Sequence, residues 1–465
     1  MTFNIEGLIG PQPQHSKILF NSLMENGFAV DLSETGCGKT YAAAAIARSG
    51  TWPVVLIAPK TVLRTWVNIL NAFGVSPTLA INYELLSRGN TRFMRFKKQP
   101  DPCRPHVKGA FEKLPHFRLP KDAFVILDEG HRCKGQDTTN SQMLISLVVQ
   151  KYKVLVSSAT AAVSPLDMKA LGYLLQLHNL HDFPDFCRLH GAKWVGRWGA
   201  LSFSVDDPAA VKGMKGLHNY IFHVRKCASR MVREQFGDLF PESHVMADAY
   251  DLGSNEAKIQ KVYDDLEREI ARLEERCASY RDHVFALLME ARRRAELLKV
   301  PVFVDMIEDL YDEGKSVVLF ANFQDTIDAI SDRLSRKKKF IGQIGYVVGG
   351  QTPKTREQMI ADFQNNVKKV MLTNIAAGGV AISLHDLNGD HPRASIVSPN
   401  WSAVQMVQAL GRVWRAGGKS KSLQRIVYAA GCIEEQICRR VQDKLTMLSM
   451  LNDGDLFEAT EWIGS

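Results

Sequence analysis

A glycine-containing segment near the start of the chain carries the residues best suited to chemistry. Residues 28–40 read FAVDLSETGCGKT, a short apolar stretch followed by Gly36, Gly38, Lys39 and Thr40, and an alanine-rich, helix-favouring stretch comes next. Glycines let backbone N–H groups curve around a phosphate, and the start of a helix adds positive potential. Lys39 can reach the β- and γ-phosphates of a nucleotide, and the Thr40 hydroxyl can bind Mg²⁺. The segment therefore predicts a nucleotide-binding loop between a strand and a helix.

An acidic pair follows a second apolar stretch, AFVILDEGH at residues 123–131. Asp128, at the end of a buried strand, can coordinate the same Mg²⁺ through water, and Glu129 can orient and deprotonate an attacking water. His131 can couple this site to a neighbouring domain. Thr40 and Asp128 are 88 residues apart, which leaves room for two strand–helix units between them.

These polar residues need a parallel sheet to bring them together. Apolar and helical stretches alternate over residues 1–165, including buried strands in 54–58 (VVLIA) and 153–160 (KVLVSSAT), which predicts a parallel sheet with helices on both faces. Ligands of such sheets bind at the carboxyl ends of the strands. The further polar residues predicted at these ends are Lys60, Thr61, Ser158 and Thr160.

The second half of the chain repeats this pattern and ends in a pair of arginines. Apolar strands are predicted in 316–322 and 395–400, and residues 405–415 read QMVQALGRVWR. Arg412 and Arg415 are one helical turn apart, which predicts that they share one face of a helix. A guanidinium group suits phosphate contact, because its planar fork forms paired hydrogen bonds and spreads positive charge.

The order of these motifs resembles that of superfamily-two helicases of the DExH type and, within them, the Swi/Snf-like translocases. ETGCGKT resembles Walker A, although Ser33 stands where the full pattern has glycine, while DEGH, SAT and QxxGRxxR resemble motifs II, III and VI. KVMLTNIAAGGVAISL, residues 369–384, resembles motif V, from which Ala381 and Ser383 depart. The compact build resembles that of viral and phage DNA helicases.

The resemblance implies an α/β fold with two RecA-like parallel-sheet domains in tandem. The implied boundaries are a first domain over 1–165, a helical extension with a long helix over 166–300, and a second domain over 301–465 with a C-terminal helix. ATP and Mg²⁺ are the implied cofactors, and Arg412 and Arg415 would act as arginine fingers across the cleft between the domains. The remaining implied site residues are Gln14, Cys37 and Gly379 for nucleotide, Ser158, Thr160 and Gln408 for coupling, and Lys60, Thr61, Thr373 and Asn374 for nucleic acid. The match around Gln14 is short, and a surface glutamine remains the alternative.

Residues 88–121 differ from their surroundings in charge. They contain ten Lys or Arg residues, two acids, five prolines and phenylalanines at 93, 96, 111 and 117. Basic residues interleaved with aromatics suit phosphate contact and base stacking, whereas a solvated surface loop is the alternative. The predicted nucleic-acid contacts are Arg92, Arg95, Lys97 and Lys98.

Residues 254–300 carry apolar or aromatic side chains with alternating steps of four and three from Ile259 to Leu287. This heptad pattern predicts a long helix that Pro301 ends. Packing within the chain and a dimeric coiled coil are both compatible with it.

Composition limits the classes of function. The chain has 58 Lys or Arg and 50 Asp or Glu residues, a net charge of +8, which favours a polyanionic partner. There is no apolar run of 18 residues, and the eight cysteines have no zinc-site spacing, so we expect neither a membrane span nor a zinc site. The resemblance to viral and phage helicases implies the cytoplasm of a bacterium or an infected host cell, with a nuclear location left open, and we expect a monomer. The main hypothesis is an ATP-dependent motor on single-stranded, duplex or branched DNA. An RNA helicase and an inactive nucleic-acid-binding scaffold are the alternatives.

Overall fold

The computed structural model describes most of the chain. The described residues form two compact units, the first up to Phe236 and the second from Gly237 onward. The described residues are 3–89, 91–101, 103–104, 106–107, 111–195, 200–204, 206–239, 243–249, 254–276, 281–375, 382–400, 402–415, 417–429, 434–435, 438–439 and 441. Gly379 and most of the predicted C-terminal helix lie outside these ranges.

The first unit contains a six-stranded parallel sheet in the order β10-β1-β7-β6-β2-β3 and two short antiparallel hairpins, β4–β5 and β8–β9. Its strands are β1 Phe28–Asp31, β2 Val54–Ile57, β3 Leu79–Ile81, β4 Met94–Pro100, β5 Phe111–Phe117, β6 Phe124–Asp128, β7 Lys153–Ser157, β8 Lys193–Val195, β9 Ala200–Ser202 and β10 Ala228–Ser229. Its helices are α1 Gln12–Asn26, α2 Lys39–Gly50, α3 Leu63–Ala72, α4 Tyr83–Ser87, α5 Thr139–Val149, α6 Lys169–Leu174, α7 Phe183–Leu189 and α8 Pro208–Asn219.

The second unit contains another six-stranded parallel sheet, in the order β11-β16-β15-β12-β14-β13. Its strands are β11 Ser243–Ala249, β12 Ser316–Ala321, β13 Ile344–Val347, β14 Val370–Asn374, β15 Arg393–Val397 and β16 Ser422–Tyr428. Its helices are α9 Ser254–Arg276, α10 Arg281–Leu298, α11 Val300–Asp312, α12 Gln324–Ser335, α13 Pro353–Gln364 and α14 Ala403–Leu410.

The central strands of both sheets are buried along their length. Every residue of β1, β2, β6 and β12 is buried, as expected when helices cover both faces of a parallel sheet. Their apolar side chains form the core of each unit. The predicted α/β fold with two RecA-like parallel-sheet domains is confirmed.

The segment predicted as a helical extension, 166–300, is divided between the units. It supplies α6 to α8 and the edge strand β10 to the first unit, and the edge strand β11 with α9 and α10 to the second. β10 pairs with β1 and β11 pairs with β16, both in parallel. Two-residue β10 is too short to show a strand pattern in the sequence, because its place depends on pairing with β1.

The predicted long helix is wrong, because the structure has two helices that pack against each other. Ile259 and Tyr263 of α9 share a buried cluster with Ala295 of α10, and Asn255 Nδ2 donates to the Leu298 carbonyl at 3.2 Å. In one straight helix, positions 259 and 295 would be about 54 Å apart at 1.5 Å per residue. The described heptad side chains are therefore packed within the chain, and Pro301 lies in the first turn of α11 instead of ending a helix.

The basic segment 88–121 is a hairpin over its described strands. β4 and β5 pair in antiparallel register, and Lys98 is opposite Lys113. Phe117 is buried, so it is not available for base stacking, whereas Phe96 is half-buried and packs against the core of the first unit. Within the described ranges, no helix has the length and apolar character needed to cross a membrane.

Candidate active site

The loop between β1 and α2, residues 32–38, has the backbone geometry of a phosphate-binding turn, and we call it the phosphate loop. Gly36 and Gly38 have φ values of 92° and 84°, in the left-handed region that favours glycine. Gly38 precedes α2 and has no side chain to cap it, which leaves the start of the helix available to an anion. A side chain at Gly38 would also collide with Gln12, since a Cβ atom would lie 2.3 Å from Gln12 Nε2.

Lys39 folds over the phosphate loop. Its Nζ donates to the carbonyls of Ser33 and Glu34 at 2.8 and 2.9 Å. The ammonium group is thereby held beside the first turn of α2, where Thr40 is half-buried. Cys37 is fully buried, and burial, the largest cause, raises the pKa of its thiol to about 12. The predicted nucleotide contact at Cys37 can therefore involve only its backbone.

The glutamine that reaches the phosphate loop is Gln12, and the nucleotide contact of Gln14 stays a prediction. Gln12 is buried, and its Nε2 donates to the Cys37 carbonyl at 3.0 Å while its Oε1 accepts from the Ile9 N–H at 3.0 Å. Gln14 is exposed on α1. The two glutamines are about 200° apart around a helix of 3.6 residues per turn, so only one of them can face the loop.

Ser33 replaces the first glycine of the loop pattern without strain, because its φ is not in the left-handed region. Its side chain is fully buried, and Oγ accepts from the Met231 N–H at 2.9 Å. The Ser33 N–H in turn donates to Asp31 Oδ1 at 2.9 Å, and Asp31 Oδ2 is 3.2 Å from His15 Nε2. Burial raises the pKa of Asp31, but His15, Lys39 and the Ser33 hydrogen bond together hold it below its ordinary value.

Asp128 lies at the carboxyl end of β6, as predicted. Its Oδ2 accepts from Trp66 Nε1 at 2.8 Å, and its carbonyl accepts from the Tyr83 hydroxyl at 2.8 Å. Burial, followed by the charge of Glu129, raises the pKa of Asp128 to about 7, and the Trp66 hydrogen bond and the charge of Lys39 oppose this rise. A buried carboxyl beside a second carboxylate is suited to a divalent cation, whose charge would favour the ionised form.

Glu129, His131 and Ser158 form a chain of polar contacts beside Asp128. Glu129 has a left-handed φ of 54°, and its Oε2 is 3.2 Å from His131 Nδ1. The same His131 nitrogen is 3.3 Å from Ser158 Oγ, which also accepts from the Thr160 N–H at 3.2 Å. The structure thus brings together residues predicted from the second and third motifs. His131 can orient the Glu129 carboxylate.

The arginine motif lies in the second unit, but its local structure differs from the prediction. α14 ends at Leu410, so Arg412 and Arg415 follow the helix instead of sharing one of its faces. They nevertheless converge, because Arg412 Nη1 and Arg415 Nη1 are 3.4 and 3.5 Å from the Ile382 carbonyl, and Arg415 also donates to Ser383 Oγ. Arg412 and Gln408 are buried, and Arg415 is half-buried.

The predicted nucleic-acid contacts fall into two groups. Thr373 is fully buried, and its hydroxyl donates to the Val347 carbonyl at 2.8 Å, so its predicted nucleic-acid contact can involve only its backbone. This burial occurs because its side chain faces the neighbouring strand β13. Asn374, at the end of β14, is half-buried. The other predicted contacts are exposed: Lys60, Thr61, Arg92, Arg95, Lys97 and Lys98.

Three residues at the site were missed by sequence reasoning. Gln12, Trp66 and Tyr83 reach the loop or Asp128 from positions 25, 62 and 45 residues away in sequence. A buried tryptophan in the amphipathic helix α3 looks like an ordinary core residue in the linear pattern. Only the buried indole N–H, which needs an acceptor, could have indicated a polar partner.

Comparisons with known proteins identify the family of the chain. Residues 299–417 match the helicase conserved C-terminal domain. A protein of Acanthamoeba polyphaga mimivirus, provisionally named as an ATP-dependent RNA helicase, is 32% identical over 461 residues, which cover 96% of this chain and 83% of the viral protein.

Two animal proteins show further similarity. A Caenorhabditis elegans homologue of SWI/SNF-related matrix-associated actin-dependent regulator of chromatin subfamily A-like protein 1 is 23% identical over 96% of this chain and 63% of its own length. The DNA repair and recombination protein RAD54-like of Drosophila erecta is 30% identical over 148 residues, 31% of this chain and 18% of its own length.

The phosphate loop, the acidic pair and the arginine motif occur in the order that the resemblance to superfamily-two helicases implies, and the two parallel sheets have the fold that it implies. The viral relative is similar along nearly the whole chain. The chain therefore belongs to the superfamily-two helicases, in the Swi/Snf-like branch, and is an ATP-hydrolysing helicase or translocase.

Proposed function

We propose that the protein is a DNA motor that uses ATP to move on, or remodel, duplex or branched DNA in replication, recombination or repair. The observation that carries this proposal is the similarity over 96% of the chain to a SWI/SNF-related regulator of chromatin. Similarity to a DNA repair and recombination protein supports the same substrate. The second candidate is an RNA helicase, which the name of the mimivirus relative favours. That viral relative also supports action in an infected cell.

We propose that the first unit binds ATP with Mg²⁺. Lys39 and the start of α2 would hold the phosphates, while Thr40 and Asp128 would hold Mg²⁺. Bound Mg²⁺ would neutralise charge on the phosphate oxygens. Glu129, oriented by His131 at 3.2 Å, would accept the proton of the attacking water.

The proposed role of the second unit is to supply positive charge to the transferring phosphoryl group. Arg412 is the primary candidate, with Arg415 beside it. Both guanidinium groups are within 3.5 Å of the same carbonyl, that of Ile382. This common anchor fixes the two groups relative to each other, which is what paired contact with phosphate oxygens requires. We also propose that the functional domains follow the two compact units.

The β4–β5 hairpin is the proposed contact with the nucleic-acid backbone. Lys98 is directly opposite Lys113, and Arg95 is opposite His116. Burial, followed by the charges of Lys97 and Arg118, lowers the pKa of His116. Like charges placed opposite each other destabilise a hairpin in isolation, so their concentration here fits a polyanionic partner.

Helix α5 and Gln150, the residue after its end, anchor this hairpin. Gln150 accepts from the Phe117 N–H at 2.8 Å and donates to the Phe117 carbonyl at 3.0 Å, and the Ser146 hydroxyl donates to the Pro115 carbonyl at 2.6 Å. α5 follows the segment that contains His131. A nucleic acid bound to the hairpin would therefore contact an element connected to the proposed catalytic residues.

Removing the positive charge of the hairpin is expected to weaken DNA binding. The variant replaces four exposed residues by alanine: Arg92, Arg95, Lys97 and Lys98. Each lost phosphate contact should reduce the slope of log K against log salt concentration by about 0.9 for duplex DNA. Fluorescence anisotropy of a labelled duplex across a salt series measures both the affinity and the slope.

The control for the hairpin variant removes four exposed charges elsewhere in the first unit, namely Lys17, Arg188, Lys212 and Lys215. Its affinity and salt slope should change much less. Equal effects from both variants would show that only the net charge of the protein matters. An unchanged DNA affinity in the hairpin variant would show that the hairpin is a solvated surface element.

Stimulated ATP hydrolysis tests the choice of substrate. Steady-state turnover at low salt is measured without polymer and with single-stranded DNA, duplex DNA, a forked duplex and RNA, with Lys39→Ala as the blank. We expect duplex or forked DNA to give the largest stimulation, because the similarity to a SWI/SNF-related regulator of chromatin and to a DNA repair and recombination protein supports a DNA substrate. Stimulation by RNA alone would replace the DNA proposal with the RNA helicase.

A further inference from the structure

A short stretch of chain, residues 229–233, runs beside the phosphate loop, and we call it the arginine strap. It continues the edge strand β10, and its backbone pairs with the loop beyond the end of β1. The Ser229 carbonyl accepts from the Leu32 N–H at 3.0 Å, and the Met231 carbonyl accepts from the Glu34 N–H at 3.0 Å. The phosphate loop is therefore fixed along one side by residues almost 200 positions later in the sequence.

Two arginines of the strap contact one carboxylate of the phosphate loop. Arg230 Nη2 is 3.3 Å from Glu34 Oε1, and the Arg233 backbone N–H donates to Glu34 Oε2 at 3.2 Å with the Arg233 Nε 3.5 Å from the same oxygen. Arg230 also donates to the Leu32 carbonyl at 2.9 Å, and Arg233 to Thr35 Oγ1 at 2.9 Å. The arginine side chains are 13% and 15% exposed, which shields these contacts from water better than a surface pair.

The residues held by the strap are those that hold Lys39. Glu34 uses its carboxylate for the arginines and its carbonyl for Lys39 Nζ, and Ser33 uses Oγ for Met231 and its carbonyl for the same Nζ. Ser33 and Glu34 thus contact the arginine strap through their side chains and Lys39 Nζ through their carbonyls. A change in the backbone at either residue would move the strap contacts and the Lys39 ammonium group together.

We infer that Arg230 and Arg233 are positioning residues for ATP binding, which hold Glu34 so that the phosphate loop keeps the shape that Lys39 and the phosphates need. The single negative charge of Glu34 also offsets part of the positive charge of the two guanidinium groups beside the phosphate loop. Because Arg233 precedes Gly237, where the second unit begins, by only four residues, the strap also connects the loop to the chain that leads into that unit. The inference rests on the proposed role of Lys39, which Lys39→Ala tests separately.

The test compares Glu34→Gln, Arg233→Ala and Arg233→Lys in full-length protein, with ATP turnover measured with and without DNA. We expect Glu34→Gln and Arg233→Ala each to raise KM for ATP about tenfold, the scale of one hydrogen bond to a charged group. The ratio of DNA-stimulated to basal turnover should also fall, because the loop loses its link to the following chain. Arg233→Lys should restore part of the KM effect, since it keeps the charge but not the fork.

A double variant and an unrelated surface arginine complete the test. Glu34→Gln combined with Arg233→Ala should raise KM by less than the product of the two single effects, because the contact between the Arg233 side chain and Glu34 is lost in both single variants. Arg188→Ala, which breaks an exposed pair with Asp185, should leave KM and the stimulation ratio unchanged. Thermal unfolding midpoints establish that the variants remain folded.

Two results would overturn the inference. One is an unchanged KM for ATP in folded Glu34→Gln and Arg233→Ala proteins. The other is an equal loss of kcat with and without DNA at constant KM, which a merely structural contact would produce. If Lys39→Ala retained wild-type turnover, the failure would instead lie with the proposed nucleotide site.

Discussion

Glu129→Gln is expected to lower ATP turnover by about 10²- to 10⁴-fold, the usual contribution of a positioned general base. The amide keeps the size of the side chain but cannot accept the proton of the attacking water. Lys39 and the phosphate loop are unchanged, so nucleotide affinity should stay within about twofold of the wild type, because no contact proposed for the phosphates is removed. Single-turnover hydrolysis and equilibrium binding of a fluorescent ATP analogue separate the two quantities.

The matched control for this change is Glu84→Gln. Glu84 pairs with Arg132 at 2.7 Å on the surface, and its side chain is 56% exposed, so the loss should affect turnover little. A Glu129→Gln protein that hydrolyses ATP at the wild-type rate would exclude Glu129 as the base. A Glu129→Gln protein that fails to bind the nucleotide would show that the carboxylate acts in binding.

Arg412→Ala is expected to remove DNA-stimulated turnover, by about 10³-fold or more if it contributes as arginine fingers do. ATP binding should persist, because the proposed phosphate-holding groups lie in the first unit. Arg412→Lys should recover little, since an ammonium keeps the charge but not the planar fork. Stimulated turnover, basal turnover and nucleotide affinity are measured for all three proteins.

Burial makes a stability control necessary for Arg412. Its side chain is 3% exposed and close to the Ile382 carbonyl, so its loss could also weaken the second unit. Thermal unfolding distinguishes that effect, and Arg336→Ala, which removes an exposed arginine paired with Asp332, provides the matched control. Wild-type stimulated turnover in a folded Arg412→Ala protein would show that the motif has another role.

The chemistry at strand ends was accessible from the linear pattern. Lys39 and Asp128 each follow a buried apolar stretch, and parallel strands place such residues at one edge of a sheet. The structure confirms the sheet, and the charge of Lys39 acts on Asp128. Buried strands with polar ends are local signals, so neither required knowledge of distant contacts.

Periodicity identified apolar faces but not what covers them. The heptad spacing of 254–300 correctly marks Ile259 and Tyr263 as buried, yet the chain has two helices there and the seam packs within the unit. A hydrophobic repeat identifies the face of a helix that is buried. Which element packs against that face depends on where the chain reverses its direction. Strand β10 was missed for a related reason, because two residues are too few to show a hydrophobic periodicity.

Local sequence determined the two sheets, the phosphate loop and the acidic pair, because side-chain size, glycine backbone freedom and apolar runs act over a few residues. Tertiary structure decided which glutamine meets the loop, what holds Asp128, and that residues 229–233 lie beside Glu34. Those contacts join residues from 25 to nearly 200 positions apart, namely Gln12 with Cys37, Trp66 with Asp128, and Arg233 with Glu34. Such partners are chosen by burial, since a polar group enclosed by the folded chain must find its hydrogen bond wherever the packing places one.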